Sequence, residues 1–112
     1  MLVPSMIALL GALREEVSDL RRQMSLVEVH AEPTCHLYRG EYRDRDVLLA
    51  QTGFGRQRVE KATKLILERY SVTALISLGF AGALTEELEV GDVVICATLR
   101  CAMGPIQEAT RP

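Results

Sequence analysis

Ala74-Leu75-Ile76-Ser77-Leu78 runs directly into Gly79-Phe80-Ala81-Gly82-Ala83, an apolar segment of strand length that ends in a glycine turn. The same design occurs twice earlier. Ile7-Ala8-Leu9-Leu10 enters Gly11-Ala12, and Val47-Leu48-Leu49-Ala50 enters Thr52-Gly53-Phe54-Gly55. Near-continuous apolar strands are what a parallel sheet covered on both faces requires. In such sheets ligands bind beyond the carboxyl ends of the strands, where the chain turns tightly. Three glycine-bearing turns at one edge would line one pocket, which points to a small-molecule site rather than a bare scaffold.

The segments between these runs set the fold class. Arg14 to Met24 reads as a helix, with Val17, Leu20 and Met24 on one face, early acids (Glu15, Glu16, Asp19) and late bases (Arg21, Arg22) that suit the helix dipole. Arg56 to Tyr70 reads as a second helix with a Val59, Ala62, Ile66, Tyr70 stripe and a favourable Glu60–Lys64 pair. Ser25 to Val29 is a short strand candidate. Two more strands, His36 to Tyr42 and Asp46 to Gln51, flank the polar turn Arg43-Asp44-Arg45. A last strand is expected from Asp92 to about Thr98, after a loop from Thr85 to Glu89. Strands alternating with helices give an α/β class. The expected division is a domain over residues 1–100 and an irregular tail over 101–112, the latter carrying Gly104-Pro105 and Arg111-Pro112.

Bulk properties narrow the function. A chain of 112 residues has the length of one domain, and its 48% apolar content is enough for a real core. An aromatic content of 4%, with no Trp, argues against an aromatic platform for nucleic acid or carbohydrate. The net charge of −2 gives no general attraction to phosphate backbones or anionic membranes. Basic clusters at Arg39 to Arg45 and Arg56 to Lys64 are interleaved with acids and read as solvated faces. No apolar run is long enough to span a bilayer, and the apolar start through Leu13 lacks the basic flank of a signal peptide. Three cysteines, Cys35, Cys96 and Cys101, form neither an even set nor a CxxC pair, so a reducing, cytoplasmic setting is expected. His30, Cys35 and His36 match no standard zinc spacing and lack a fourth ligand, so no metal is expected.

Glu16 follows the first turn, where a carboxylate can serve as general base or acid; stabilising the helix start explains it as well. Gly53-Phe54-Gly55-Arg56 opens a helix and offers N–H groups and a cation to an anion or a ribose hydroxyl, though an ordinary strand-to-helix turn has the same look. Gly79-Phe80-Ala81-Gly82-Ala83 sets small residues around one large side chain, as a planar ligand against the backbone needs, or as a close strand crossing needs.

At these residues the chain resembles a known family. Ile7-Ala8-Leu9-Leu10-Gly11-Ala12-Leu13-Arg14-Glu15-Glu16-Val17 is similar to the opening of methylthioadenosine/S-adenosylhomocysteine nucleosidases, members of the purine nucleoside/uridine phosphorylase superfamily. Thr52-Gly53-Phe54-Gly55-Arg56, Leu78 to Leu84 and Val90-Gly91-Asp92-Val93-Val94 follow in the family's order. The resemblance, over Ile7 to about Ile95, implies the N-terminal part of a nucleoside phosphorylase/nucleosidase-like mixed-sheet sandwich, truncated. It implies Glu16 as the glutamate that helps activate the attacking water. It places Ala12 beside the nucleoside, Phe54 near its 5′ substituent, and the backbone of Ala81 and Gly82 along sugar and base.

Two departures are informative. Where the family's phosphorylases carry an arginine and a serine for phosphate, this chain has Ser77 and Phe80. Phenylalanine has no hydrogen-bonding group and serine no charge, which favours hydrolysis over phosphorolysis. The nucleosidases usually keep serine at the Phe80 position, so the nucleoside itself stays open, and an apolar residue there resembles members acting on other adenosyl or inosyl compounds. The family's later Met-Glu segment for the ribose hydroxyls, and its aspartate for purine N7, have no match after Ile95. The expectation is nucleoside N-glycosidic cleavage by the complete protein, without a cofactor, with this chain feeble alone. The alternative is a non-catalytic remnant that binds a nucleoside or acts as an interaction module. Missing sheet partners would expose strand edges and favour a homo-oligomer.

Overall fold

The computed structural model describes residues 6–32, 35–100 and 106–108. The chain forms two compact units, Met1–Phe80 and Ala81–Pro112. The first contains β1 (Met6–Gly11), α1 (Arg14–Gln23), β2 (Val27–Glu32), β3 (Cys35–Tyr42), β4 (Arg45–Gln51), α2 (Arg56–Arg69) and β5 (Ala74–Ser77). Its five strands make one mixed sheet in the order β2-β3-β4-β1-β5. β1 runs parallel to β4, with Leu10 opposite Ala50, and parallel to β5, with Leu10 opposite Ser77. β2, β3 and β4 are joined antiparallel. The α/β expectation holds, and the three apolar runs are the three parallel neighbours.

Side-chain alternation along the strands builds two cores. Ala8, Leu10, Leu37, Leu48 and Ala50 cluster with Ala62 and Ile66 of α2. Val47, Leu49 and Tyr38 cluster on the opposite face with Val17 of α1, backed by Leu9, Leu20 and Met24. The helices therefore cover opposite faces, which is why β4 reads as an unbroken apolar run: Leu48 and Leu49 are both fully buried, one in each core. Full burial of such a side chain contributes about 1.5–3 kcal/mol. Coverage fades at β5, where Leu75 and Ile76 remain 40% and 46% exposed.

Local chemistry explains the connections. β3 and β4 are linked by Arg43 and Asp44, both at positive φ (52° and 64°), with Tyr42 opposite Arg45. Two left-handed residues in a two-residue loop match the right-handed strand twist. Ser25 (φ 51°) belongs to the turn after α1, so β2 begins two residues later than the sequence suggested. In α2 the ion pair formed is Arg56–Glu60, at 2.8 Å, rather than the expected Glu60–Lys64.

The second unit departs from expectation. Residues 92–97 are not in a strand; the strand here is β6 (Thr98–Arg100), paired antiparallel with β7 (Ile106–Glu108) inside the stretch expected to be irregular. Val93 and Ile95 are 89% and 81% exposed, so the apolar run Val93 to Ile95 lacks a packed face among the described residues. Val90-Gly91-Asp92 forms a turn instead: the Asp92 carboxylate accepts the Glu89 N–H at 2.8 Å, and Gly91 lies at φ 97°.

Candidate functional site

The parallel pairing of β4, β1 and β5 brings their carboxyl ends side by side, and the pairing continues into the turns. Thr52 N–H donates to the Gly11 carbonyl, Gly53 N–H to Ala12 and Leu78 N–H to Leu10, each at 2.9 Å. The three turns are thus fixed relative to one another by backbone bonds. Beside them lies a cavity of about 280 Å³, with Ala12, Glu16, Thr52 and Ser77 among its lining residues. Leu10, Leu75 and Leu78 from the strands and Val59 and Thr63 from α2 complete the wall.

Glu16 is the only titratable residue in that lining. It is the third residue of α1, and its Oε1 accepts the N–H of Leu13, the residue that caps the helix, at 2.9 Å. This is half of a capping box, since Leu13 has no side-chain oxygen to return the bond. Oε2 accepts the N–H of Phe80 at 3.0 Å. The carboxylate therefore bridges the first and third turns. The Leu13 N–H, and after it the Phe80 N–H, hold its carboxyl below the usual range; partial burial opposes them and the Ala12 backbone assists. A group held this way is ionised at neutral pH. Each carboxylate oxygen has two lone pairs and has given one to the backbone, so each can still accept a proton or a water hydrogen bond.

This position depends on Gly79. A Cβ there would sit 2.5 Å from Glu16 Oε2, closer than any side-chain contact tolerates. The glycine is needed for the carboxylate's approach, whereas the sequence suggested a planar ligand or a strand crossing.

The remaining expected residues are placed as follows. Ala12 is half-buried in the cavity wall. Phe54 lies between Gly53 and Gly55 ahead of α2, 68% exposed, and Phe80 is 77% exposed while its N–H is engaged by Glu16. Neither phenylalanine is in the cavity lining. Ala81 and Gly82 are exposed in irregular backbone at the start of the second unit.

Thr52, Val59 and Thr63 line the cavity without having been singled out for it. Thr52 is 1% exposed, and its hydroxyl lies 3.0 Å from the Gly53 carbonyl oxygen. A buried hydroxyl one residue after an apolar strand was the available signal. Val59 and Thr63 are four apart on α2, a spacing that shares a face. Among the described residues no three His, Cys, Asp or Glu side chains gather to hold a metal. His36 instead lies 3.5 Å from the Glu28 carboxylate, and His30 meets Arg69. No helix among the described residues is long and apolar enough to cross a membrane.

Known proteins resemble this chain in sequence and in fold. Residues 6–104 match the Phosphorylase superfamily. A 5′-methylthioadenosine/S-adenosylhomocysteine nucleosidase of Tolumonas auensis is 40% identical over 94 residues, which cover 84% of this chain and 41% of the relative. Its counterpart from Oceanobacillus iheyensis is 37% identical over 89 residues, covering 80% and 39%. The chain thus spans 41% and 39% of the lengths of these curated relatives. Among solved structures, the Neisseria meningitidis nucleosidase in complex with methylthio-immucillin-A aligns with a TM-score of 0.72 at 32% identity, over 83% of this chain and 40% of that one. Futalosine hydrolase of Helicobacter pylori shares the fold at 21% identity, with a TM-score of 0.71 over 84% of this chain and 41% of that one. With nearly its whole described length inside the match, the chain belongs to the phosphorylase superfamily, alongside the 5′-methylthioadenosine/S-adenosylhomocysteine nucleosidase-like members.

Proposed function

We propose that the protein carrying this sequence hydrolyses the N-glycosidic bond of a purine nucleoside, with Glu16 as the base that activates water. The observation that carries this reading is the Glu16 carboxylate, ionised and held by the Leu13 and Phe80 N–H groups at the wall of a cavity beside three strand ends. The names of the relatives support the reaction class. Water rather than phosphate is favoured because the cavity lining contains no Arg, Lys or His to meet a phosphate dianion. As the water attacks the anomeric carbon, its proton passes to Glu16 while the bond to the base nitrogen breaks.

The departing base needs a proton of its own, and Glu16, with its lowered pKa, is a poor acid at neutral pH. No other lining residue titrates. We therefore expect residues 1–112 alone to turn over feebly, with the acid supplied from outside this cavity. Ala12 is assigned to the nucleoside's side, Phe54 and Phe80 to its apolar surroundings, and Ala81 and Gly82 to backbone contacts with sugar and base. The working state is assigned to a cytoplasmic homo-oligomer, supported by a cysteine set that contains no CxxC pair and by the uncovered β5 side chains.

The test incubates the whole protein and its Glu16→Gln variant with methylthioadenosine, S-adenosylhomocysteine and inosine, and measures free base. The reading requires release by the parent and a loss of at least about a hundredfold in the variant. Equal turnover by the two proteins would refute the role of Glu16. Nucleoside binding with no release by the parent would favour the alternative, a non-catalytic binding module.

A further inference from the structure

The α1 face of the sheet carries a second and larger recess, about 510 Å³ in volume, between α1 and strands β2 to β4. From the helix it is lined by Arg14, Ser18, Arg21 and Arg22, and from the strands chiefly by His36, Tyr38 and Gln51. Positions 14, 18 and 21 are four and three residues apart, so they form one stripe along α1 with the serine hydroxyl between the two arginines. Arg14 and Arg21 are separated by about 10 Å of helix rise, a gap that two long side chains can close from either end.

The charges in this recess are unevenly satisfied. Asp19 is paired with Arg22, and Glu28, the single acid in the lining, approaches His36 at 3.5 Å. Arg14 has no ion-pair partner among the described residues. Arg21 has none either: its guanidinium carbon lies 4.6 Å from the centre of the Tyr38 ring. Stacking on a ring restrains a guanidinium and leaves its N–H donors for a ligand in the ring's periphery. Tyr38 is itself buried and stacked with His36 at 6.5 Å, so the platform beneath Arg21 is fixed. Two guanidinium groups without an acid partner among the described residues, on one helix stripe with a hydroxyl between their positions, share a lining with an imidazole and an amide and offer donors to a compact tetrahedral oxyanion.

We infer that the α1 recess binds phosphate, as the free ion or as the phosphate of a monoester, through Arg14, Ser18 and Arg21. Its lining shares no residue with that of the proposed hydrolytic cavity, although α1 contributes to both. Glu16 is not among the recess's lining residues, so the site is one of binding and not of phosphorolysis, and it stands whether or not the nucleosidase reading does.

Titration of the 112-residue chain with inorganic phosphate, at ionic strength held constant with chloride, tests this by calorimetry and by amide and His36 imidazole NMR shifts. Saturable binding is expected, with shifts centred on α1 and β3. Arg14→Gln and Arg21→Gln should each weaken it about tenfold, whereas Arg58→Gln on α2 should leave it unchanged. Arg14 is exposed, so its variant reports on binding without disturbing the Tyr38 stack. Adenosine 5′-monophosphate is the second ligand. Tighter Arg21-dependent binding than that of phosphate identifies a monoester, and weaker binding identifies the free ion. Shifts that grow linearly without saturating, or that persist unchanged in both arginine variants, overturn the proposal.

Discussion

The carboxylate of Glu16 and the backbone N–H of Phe80, 64 positions apart in sequence, meet at 3.0 Å. This bond joins the first turn of α1 to the turn after β5, and it uses the part of Phe80 that its side chain does not determine. In the proposed reaction, a base that faces water or a sugar needs its rotamer fixed before substrate arrives. Here the fixing comes from two backbone donors, Leu13 and Phe80, which any substitution other than proline leaves in the chain.

Gly79→Ala should therefore damage the site more than its size suggests. Its methyl group would lie 2.5 Å from Glu16 Oε2, and the carboxylate must swing off the Phe80 N–H to escape. A displacement of about 1 Å costs on the order of a hundredfold in turnover when it falls on a catalytic group. Steady-state base release by the whole protein checks this. Adding Gly79→Ala to Glu16→Gln should cost little more, because the group it displaces is already disabled; full additivity would sink this explanation.

Glu16 should also contribute a pH-dependent part of the stability. Its folded pKa is lowered, chiefly by the Leu13 N–H, so the contribution is complete above the unfolded value, about 4.3, and is lost as pH falls through the folded value. Urea unfolding of the parent and of Glu16→Gln at a series of pH values checks the sign. Their stability difference should be largest near neutrality and shrink as pH drops below about 4. A difference that grows on acidification would mean that the carboxylate is destabilising as an ion.

The two sheet cores give a third expectation. Leu48 packs toward α2 and Leu49 toward α1, and both are fully buried. Leu48→Ala and Leu49→Ala should each destabilise the chain by about 2–5 kcal/mol. Leu84, 98% exposed, should tolerate alanine within about 0.5 kcal/mol. Denaturant midpoints at fixed slope measure all three. Indifference at either Leu48 or Leu49 would mean that one of the helical layers is not packed.

The parallel centre of the fold was legible because Val47 to Ala50 and Ile7 to Leu10 are apolar on both faces, a pattern that only double coverage explains. Glu16 was legible as a carboxylate beside the first turn, but its partner was not, since a contact across 64 residues leaves no spacing to read. Gly79 was noticed for its smallness, but its closeness to Glu16 was not legible. Val93 to Ile95 failed for a different reason: β propensity describes fit to a pleated neighbour, and these residues have no ladder partner among the described residues. The strand formed instead at Thr98–Arg100, where Ile106–Glu108 supplies one.

β5 provides the final expectation. It pairs with β1 and is the last strand of the five, with Leu75 opposite Ala8 and Ile76 opposite Leu9. Leu75 therefore points to the α2 side and Ile76 to the α1 side, and both stay partly uncovered. An edge with no strand partner among the described residues and apolar side chains on both faces favours pairing with another chain. Light scattering at high concentration should give the 112-residue chain a mass at a multiple of 12.4 kDa. Ile76→Lys should shift it toward the single-chain mass, because the charge would have to be buried in any strand-to-strand contact on that face. A monomer at every concentration would refute self-association through this edge, and an oligomer insensitive to Ile76→Lys would move the contact to another surface.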